Sequence, residues 1–174
     1  MFGDIERNQP LLKYALVEKG TNITRSQTIA GIVPVVGGGI SPSCYHNVAN
    51  RDAHIITISA SGANAGYVNY WNVPIFASDC NTVKSKNTDV LNNVYLYHYL
   101  IEMQNDIFAL QRGSGQPHVY GSDIENLKIG LPNISQQVLF ADFAQSCDKL
   151  KFEAQKRLEQ LNSKREELID KYFR

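Results

Sequence analysis

The sequence predicts an α+β protein in which a mixed, β-rich domain, residues 1–132, precedes one long helix over residues 133–174. Three observations predict it. Short β-branched or aromatic runs bounded by Gly, Asn, Ser or Pro recur through the first part, as strands and their turns require. One segment among them recurs at helical spacing instead. The last forty or so residues contain neither Gly nor Pro, the two residues least compatible with a helix interior.

In chain order, Ile32–Val36, His54–Ser59, Gly66–Trp71, Pro74–Ala77 and Leu127–Leu131 read as strands. Between the fourth and fifth, Asp89 is placed to cap a helix carrying Val94, Leu96, Tyr97, Leu100, Ile101, Ile107 and Leu110 on helical recurrence. The Gly-rich tract after Arg112 ends it. Tyr67, Trp71 and the Tyr95–Tyr99 cluster are assigned to the core rather than to stacking on a ligand. Pro132–Asn133 then separates the domain from the final helix, which Asn133 or Ser135 caps.

From Ser135 to Tyr172 that helix is a rod of roughly 55 Å at 1.5 Å per residue. Its larger apolar residues are Phe143, Cys147, Leu150, Ala154, Leu158, Leu161, Leu168 and Tyr172, in steps of three and four, with Arg165 interrupting the row. A stripe this narrow on a charged helix is a coiled-coil seam rather than the face of a globular core. A seam requires a second helix.

The 174 residues leave room for one ordinary domain and an appendage, and 43% hydrophobic against 20% charged content excludes global disorder. Lys and Arg number 17 and Asp and Glu 17. The halves are balanced too: nine basic and ten acidic residues up to Pro132, eight and seven beyond it. No basic patch marks an independent, tight nucleic-acid binder. Cys44, Cys80 and Cys147 show no metal-ligand spacing, and an odd number suits a reducing compartment. With no signal-peptide pattern and no apolar run near the ~20 residues of a membrane span, the expected compartment is the cytoplasm.

Three loops are rich in small and polar residues. In VVGGGISPSCYHN, Val35 to Asn47, the glycines could cradle a phosphate, but neither nucleotide-binding spacing is present and Pro42 blocks a following helix. A tight turn needing positive φ is the better local reading. Cys44 and His46 share a side of an extended segment, yet their spacing matches no thiol-nucleophile signature, and a structural Cys beside a turn His is preferred. In SASGANAGYVNYW, Ser59 to Trp71, Asn64 and Asn69 could read adenine or simply form turns. In QRGSGQPHVY, Gln111 to Tyr120, Arg112, Ser114, Gln116 and His118 offer donors without an acidic partner for hydrolysis. Asp79 with Lys84 and Lys86 lacks the second carboxylate of a metal-dependent nuclease. No catalytic residue, metal ligand set or cofactor is read from the sequence.

Taken together and in order, these segments resemble the specificity subunit of type I restriction-modification systems. The likeness runs through TNITR at Thr21–Arg25, PVVGGGISPS at Pro34–Ser43 with the YHN after it, ITISASGANAGYV at Ile56–Val68 and FASDCNTV at Phe76–Val83. QRGSGQPHVY and LKIGLPNISQQ at Leu127–Gln137 complete it, so it covers nearly the whole chain. Two positions depart from the pattern: relatives often carry a basic residue before the Ser-Gly of ISASG, and an aromatic where Asn81 stands.

The resemblance implies two tandem units in a full-length subunit, each a target recognition domain with a long helix, the helices packing antiparallel. Each domain would read one half of a split double-stranded DNA sequence, and the helices would set the spacer. It implies a non-catalytic role: modification subunits supply methylation with S-adenosylmethionine, and restriction subunits supply ATP-dependent translocation and cleavage. This chain resembles one such unit. It opens MFGD and closes KYFR, an echo expected of one whole repeat, so a homodimer seamed by the stripe above is anticipated. The candidate DNA-contacting residues are Arg25, Tyr45, His46, Asn64, Arg112, Gln116 and His118. The competing reading is a decayed or truncated fragment serving only as a dimerising scaffold.

Overall fold

A computed structural model describes residues 5–173; Met1–Asp4 and Arg174, on which the echo between the chain ends largely rests, lie outside them. The architecture is α+β. Strand β1 (Gln9–Pro10) leads through a one-turn helix α1 (Leu11–Tyr14) into β2 (Ala15–Lys19), and a 3₁₀ turn at Arg25–Gln27 follows. Next come β3 (Val33–Val36), β4 (Cys44–His46), β5 (Ile55–Ser59), β6 (Val68–Trp71), β7 (Phe76–Ala77) and β8 (Cys80–Ser85). Helices α2 (Asn93–Glu102), α3 (Gln104–Phe108) and α4 (Gly121–Glu125), strand β9 (Lys128–Ile129) and helix α5 (Ile134–Phe173) complete the order.

The strands form a four-stranded sheet in the order β2-β8-β5-β6, a three-stranded sheet β4-β3-β7 and a small pair β1-β9. Every pairing in the first sheet is antiparallel, whereas β3 and β7 run parallel. Strand β5 is buried along its whole length, and Ile56 and Ile58 are inaccessible to solvent. Its register sets Ile56 against Val83 and Ser59 against Cys80 on one side, and Ile58 against Val68 on the other. Leu96, Leu100 and the rings of Tyr95 and Tyr99 fill the buried face of α2, which contacts β5, β6 and β8. Asn50 fixes the loop before β5 to β7: its Nδ2 donates to the Ala77 carbonyl at 2.9 Å while its Oδ1 accepts from the Ala77 N–H at 2.7 Å.

The five expected strands are present. Four more were not legible in the sequence, and β8 shows why. Four of the six residues in its sequence CNTVKS are polar, yet Cys80 through Val83 are all buried. The burial is tolerated because the polar side chains are bonded: Asn81 Nδ2 donates to the Val119 carbonyl at 3.2 Å, and Thr82 Oγ1 donates to that of Glu18 at 3.2 Å. In β2, the segment ALVEK follows LLKY with no turn residue between, so nothing local separates strand from helix.

The expected single helix after Asp89 is corrected in two respects. Asn92 is the cap, its Oδ1 accepting from the N–H groups of Val94 and Tyr95, and Asp89 sits in the preceding turn. Met103 leaves helical geometry at ψ 11°, dividing the segment into α2 and α3.

The chain divides into two compact units, one ending at Gln137 and one beginning at Val138. Within the first, Gln137 is wholly buried; its Nε2 donates to the carbonyls of Val90 and Pro132, and its Oε1 accepts from the Asn92 N–H. Asn133 caps α5 through its Oδ1, which takes the Gln136 N–H at 3.0 Å. The second unit is the remainder of α5. At 40 residues the helix measures about 60 Å. Among the described residues, no helix is long and apolar enough to cross a membrane.

Cys80 packs in a buried cluster with Val36, Ile55, Ile75 and Ala77. Burial pushes its thiol from an ordinary 9.0 up to about 12. Cys44 and Cys147 are half-exposed. At pH 8 an alkylating reagent is therefore expected to modify Cys44 and to leave Cys80 intact until denaturant is added, as peptide mass spectrometry would read. The stability contributed by the protonated Cys80 is complete below pH 9 and declines as pH rises toward 12, because only the unfolded thiol ionises in that interval.

Candidate nucleic-acid interface

Two of the three small-residue loops leave one end of β3 and β5, the third joins α3 to α4, and all three are tied to one another. Ser59 and Cys80 lie opposite each other at that end of the β5–β8 ladder. Just beyond, Ala60 donates its N–H to the Asp79 carbonyl at 3.2 Å. The Ser61 hydroxyl donates to Asp79 Oδ2 in a short hydrogen bond. The loop after β5 is thus stapled to the turn before β8 by both main chain and side chain.

The Gln111–Tyr120 loop is held against that staple. Arg112 and His118 exchange backbone hydrogen bonds of 2.9 and 2.8 Å, closing a hairpin whose tip is Gly113–Pro117. Gly113, at φ 103°, makes the turn. Three further bonds fix the hairpin to the loop after β5: Gly62 N–H to Pro117 O at 3.0 Å, Val119 N–H to Ala60 O at 3.0 Å, and Gln111 Nε2 to Ala65 O at 2.7 Å.

The glycine loop after β3 completes the face. Asn69 Nδ2 donates to the Ile40 carbonyl at 3.1 Å. A Cβ added to Gly38 would lie 2.5 Å from the Ser61 carbonyl oxygen. None of Gly37, Gly38 and Gly39 is among the residues at positive φ, so the expected left-handed turn is corrected: glycine serves close approach at Gly38. The TNITR segment is anchored where β3 and β7 end. Thr21 N–H donates to Ala77 O at 2.9 Å, Ile23 N–H to Ser78 Oγ at 3.3 Å, and Ser78 N–H to Val36 O at 2.7 Å.

On this frame Gln116 is exposed at the hairpin tip, and Asn64 is half-buried in the adjoining turn, where its carbonyl accepts the Tyr67 N–H. Arg112 is exposed but paired, its Nη2 lying 2.6 Å from Asp123 Oδ1 and its guanidinium 6.0 Å from the centre of the Tyr120 ring. The half-buried His118 ring stacks on Tyr120 at 6.2 Å. Arg25 is exposed on the 3₁₀ turn. Strand alternation turns Tyr45 outward and His46 inward. His46 is placed unlike a base-reading side chain: it is buried, its Nδ1 accepts the Ile29 N–H at 3.0 Å, and its ring meets Phe76 edge-on.

Arg112, Gln116 and His118 therefore share one hairpin with Asn64 beside it, while Arg25 and Tyr45 belong to separate elements. The residues missed from sequence are the ties: Ser61, Asn69, Asp79, Asn81 and Asp123. No spacing signals them, because each acts on a segment remote in the chain. Chemically, the face offers amide, guanidinium and imidazole donors with exposed tyrosines, groups able to bond base edges and phosphates. Among the described residues, no three His, Cys, Asp or Glu side chains converge as a metal ion would require.

The profile of the type I restriction modification DNA specificity domain matches residues 15–163. The specificity subunit of the type I restriction enzyme MjaVIII from Methanocaldococcus jannaschii is 29% identical over 112 residues, 64% of this chain and 26% of that protein. Among solved structures, the S subunit of a type I restriction-modification system from M. genitalium superposes with TM-score 0.79 at 21% identity, over 93% of this chain and 44% of that one. The HsdS subunit from Thermoanaerobacter tengcongensis gives 0.62 at 17%, over 86% and 38%. A structure described as the basis of complex assembly in the type I system gives 0.66 at 13%, over 92% and 42%. The chain spans about a quarter of the curated relative and less than half of each solved neighbour.

Gly38 and Gly37 separate the role of contact from that of composition. Gly38→Ala must displace the Ser61 carbonyl and is expected to cost about 1–3 kcal/mol. Gly37→Ala meets nothing within 4 Å and is expected to stay within about 0.5 kcal/mol of the parent. Urea denaturation of both variants measures the difference.

Proposed function

Because the chain belongs to the type I restriction-modification DNA specificity family, we propose that residues 1–132 are a target recognition domain reading one half of a split double-stranded DNA site. Residues 133–174 are then the helix through which two copies pair, giving a symmetric pair of recognition domains. The observation carrying this reading is the convergence of three loops, distant in sequence, onto one face with exposed donors at their tips. Rigid ties behind exposed tips are what sequence readout requires, since base-edge bonds are lost when a donor is displaced.

In this reading Gln116, Asn64, Arg112 and His118 contact bases from the hairpin and its neighbour, and Arg25 and Tyr45 contact the duplex from the flanking elements. His46 holds the Ile29 segment in place. The chain supplies no catalytic group or cofactor and works in the cytoplasm. Modification subunits, and restriction subunits with them, dock on it and bring both the chemistry and additional phosphate contacts, which fits a sequence with no net charge.

Methylome sequencing of cells producing the chain with its modification subunit is expected to reveal one methylated motif of two inverted halves around a fixed spacer; an unchanged methylome sinks the reading. Gln116→Ala should change relative affinity among half-site sequences by ~1–3 kcal/mol in gel shifts with the modification subunit. A loss uniform across sequences would assign Gln116 to folding or to phosphate contact instead. Light scattering during size exclusion should give the mass of a dimer.

A further inference from the structure

Resting on the dimer reading above, with the antiparallel packing that the family resemblance implies, we infer that the two α5 helices meet in one register, with the two-fold axis between Arg157 and Leu158. In it Phe143 faces Tyr172 of the second copy, Cys147 faces Leu168, Leu150 faces Arg165 and Ala154 faces Leu161.

The seam is exposed on the single chain: Phe143, Leu150 and Tyr172 each show about two thirds of their surface, and Leu158, Leu161 and Leu168 about half. With Arg165 counted in place, its steps from Phe143 to Tyr172 run four, three, four, four, three, four, three, four. The consecutive fours from Leu150 through Ala154 to Leu158 insert a stutter into the heptad pattern. The stutter makes the two ends of the row equivalent: inward from Phe143, and inward from Tyr172, the first three steps are four, three, four. An antiparallel pair centred between Arg157 and Leu158 therefore meets seam against seam over the whole row, with the two Leu158 side chains beside the axis.

The flanking charges select the same arrangement. It brings Glu153 beside Lys164 of the second copy, with Arg165 adjacent to that lysine, and the symmetry repeats the contact. Arg165 thus enters the seam with an acid within reach of its guanidinium. A parallel, in-register pair would instead set Arg165 against Arg165 and align the helix dipoles. Sliding the antiparallel pair until Ala154 faces Arg165 would set Cys147 against Tyr172 and, by the same offset that pairs Glu153 with Lys164, would bring Arg157 beside Lys164, two like charges. Arg165, the interruption in the stripe, acts as the element that rejects wrong registers.

The native Cys147 lies on the seam, so each arrangement has its own cross-linking pattern in a Cys44→Ser background. Under mild oxidation, Leu168→Cys is expected to give covalent dimers in high yield, while the background chain and Tyr172→Cys do not. Preferential cross-linking of Tyr172→Cys would establish the shifted register, and dimers of the background chain through Cys147 alone would establish the parallel one; either overturns the inference, as does a dimer that none of the variants cross-links. A strict monomer in light scattering of the unoxidised parent would remove the dimer reading itself, which keeps the two failures distinct. Glu153→Lys, at a position exposed on the single chain, should raise the dimer dissociation constant roughly tenfold, and adding Lys164→Glu should recover most of it. Equal dissociation constants for parent and Glu153→Lys would count against the register.

Discussion

The antiparallel ladder between β5 and β8 brings Ser59 and Cys80 to the same end of the sheet, and the candidate interface is built outward from that pair. The loop after Ser59 and the turn before Cys80 are stapled together by Ser61 and Asp79; the glycine loop rests on Ser61, and the Arg112–His118 hairpin bonds to Ala60 and Gly62. A slip of one residue in the ladder would reverse every side chain of β8 and part Ser61 from Asp79. The slip is costly because both faces of these strands are buried here: it would exchange Val83 with polar neighbours and part Asn81 and Thr82 from their hydrogen-bond partners.

The same strands bury Thr57, Asn81 and Thr82, each with a hydrogen-bond partner recorded in the fold. Asn81 deserves its place in β8 through Val119, the residue that closes the hairpin loop, so a side chain in the sheet fixes a loop at the surface. The departure from the family pattern at Asn81 is thereby an internal one. For the proposed reading of DNA this separates two jobs. Buried amides and hydroxyls hold the frame, and exposed tips such as Gln116 remain free to differ without disturbing it.

Helix α5 follows a different logic. Its stripe is apolar but exposed, and in water exposed leucines at regular spacing carry a free-energy cost that a partner helix relieves. A row of leucines alone would accept several registers and either direction. Arg165 and Glu153, set among and beside the leucines, break that degeneracy in the proposed pair. If the helices also space two recognition domains, the register fixes the spacing, and the same two charges bear on which DNA is read.

Periodicity and composition made α5, its seam, the core strand His54–Ser59 and the α+β class legible, because each depends on neighbours three, four or two positions away. The ordered motifs also identified the family. The cap at Asn92, the break at Met103 and strand β8 were not legible, since each depends on side chains bonded far along the chain. The candidate site divides in the same manner. Exposed, polar, turn-forming residues such as Gln116 and Arg25 could be nominated from the sequence, but His46 could not be distinguished from Tyr45 without knowing which side of β4 faces Phe76. By itself the sequence determined that a long helix lacks a partner and that three loops are rich in small residues. Only the tertiary structure decided that those loops share one face, because the contacts joining Gly38, Ser61, Asp79 and Pro117 arise from strand pairing, and local pattern encodes a strand's faces without encoding its neighbour.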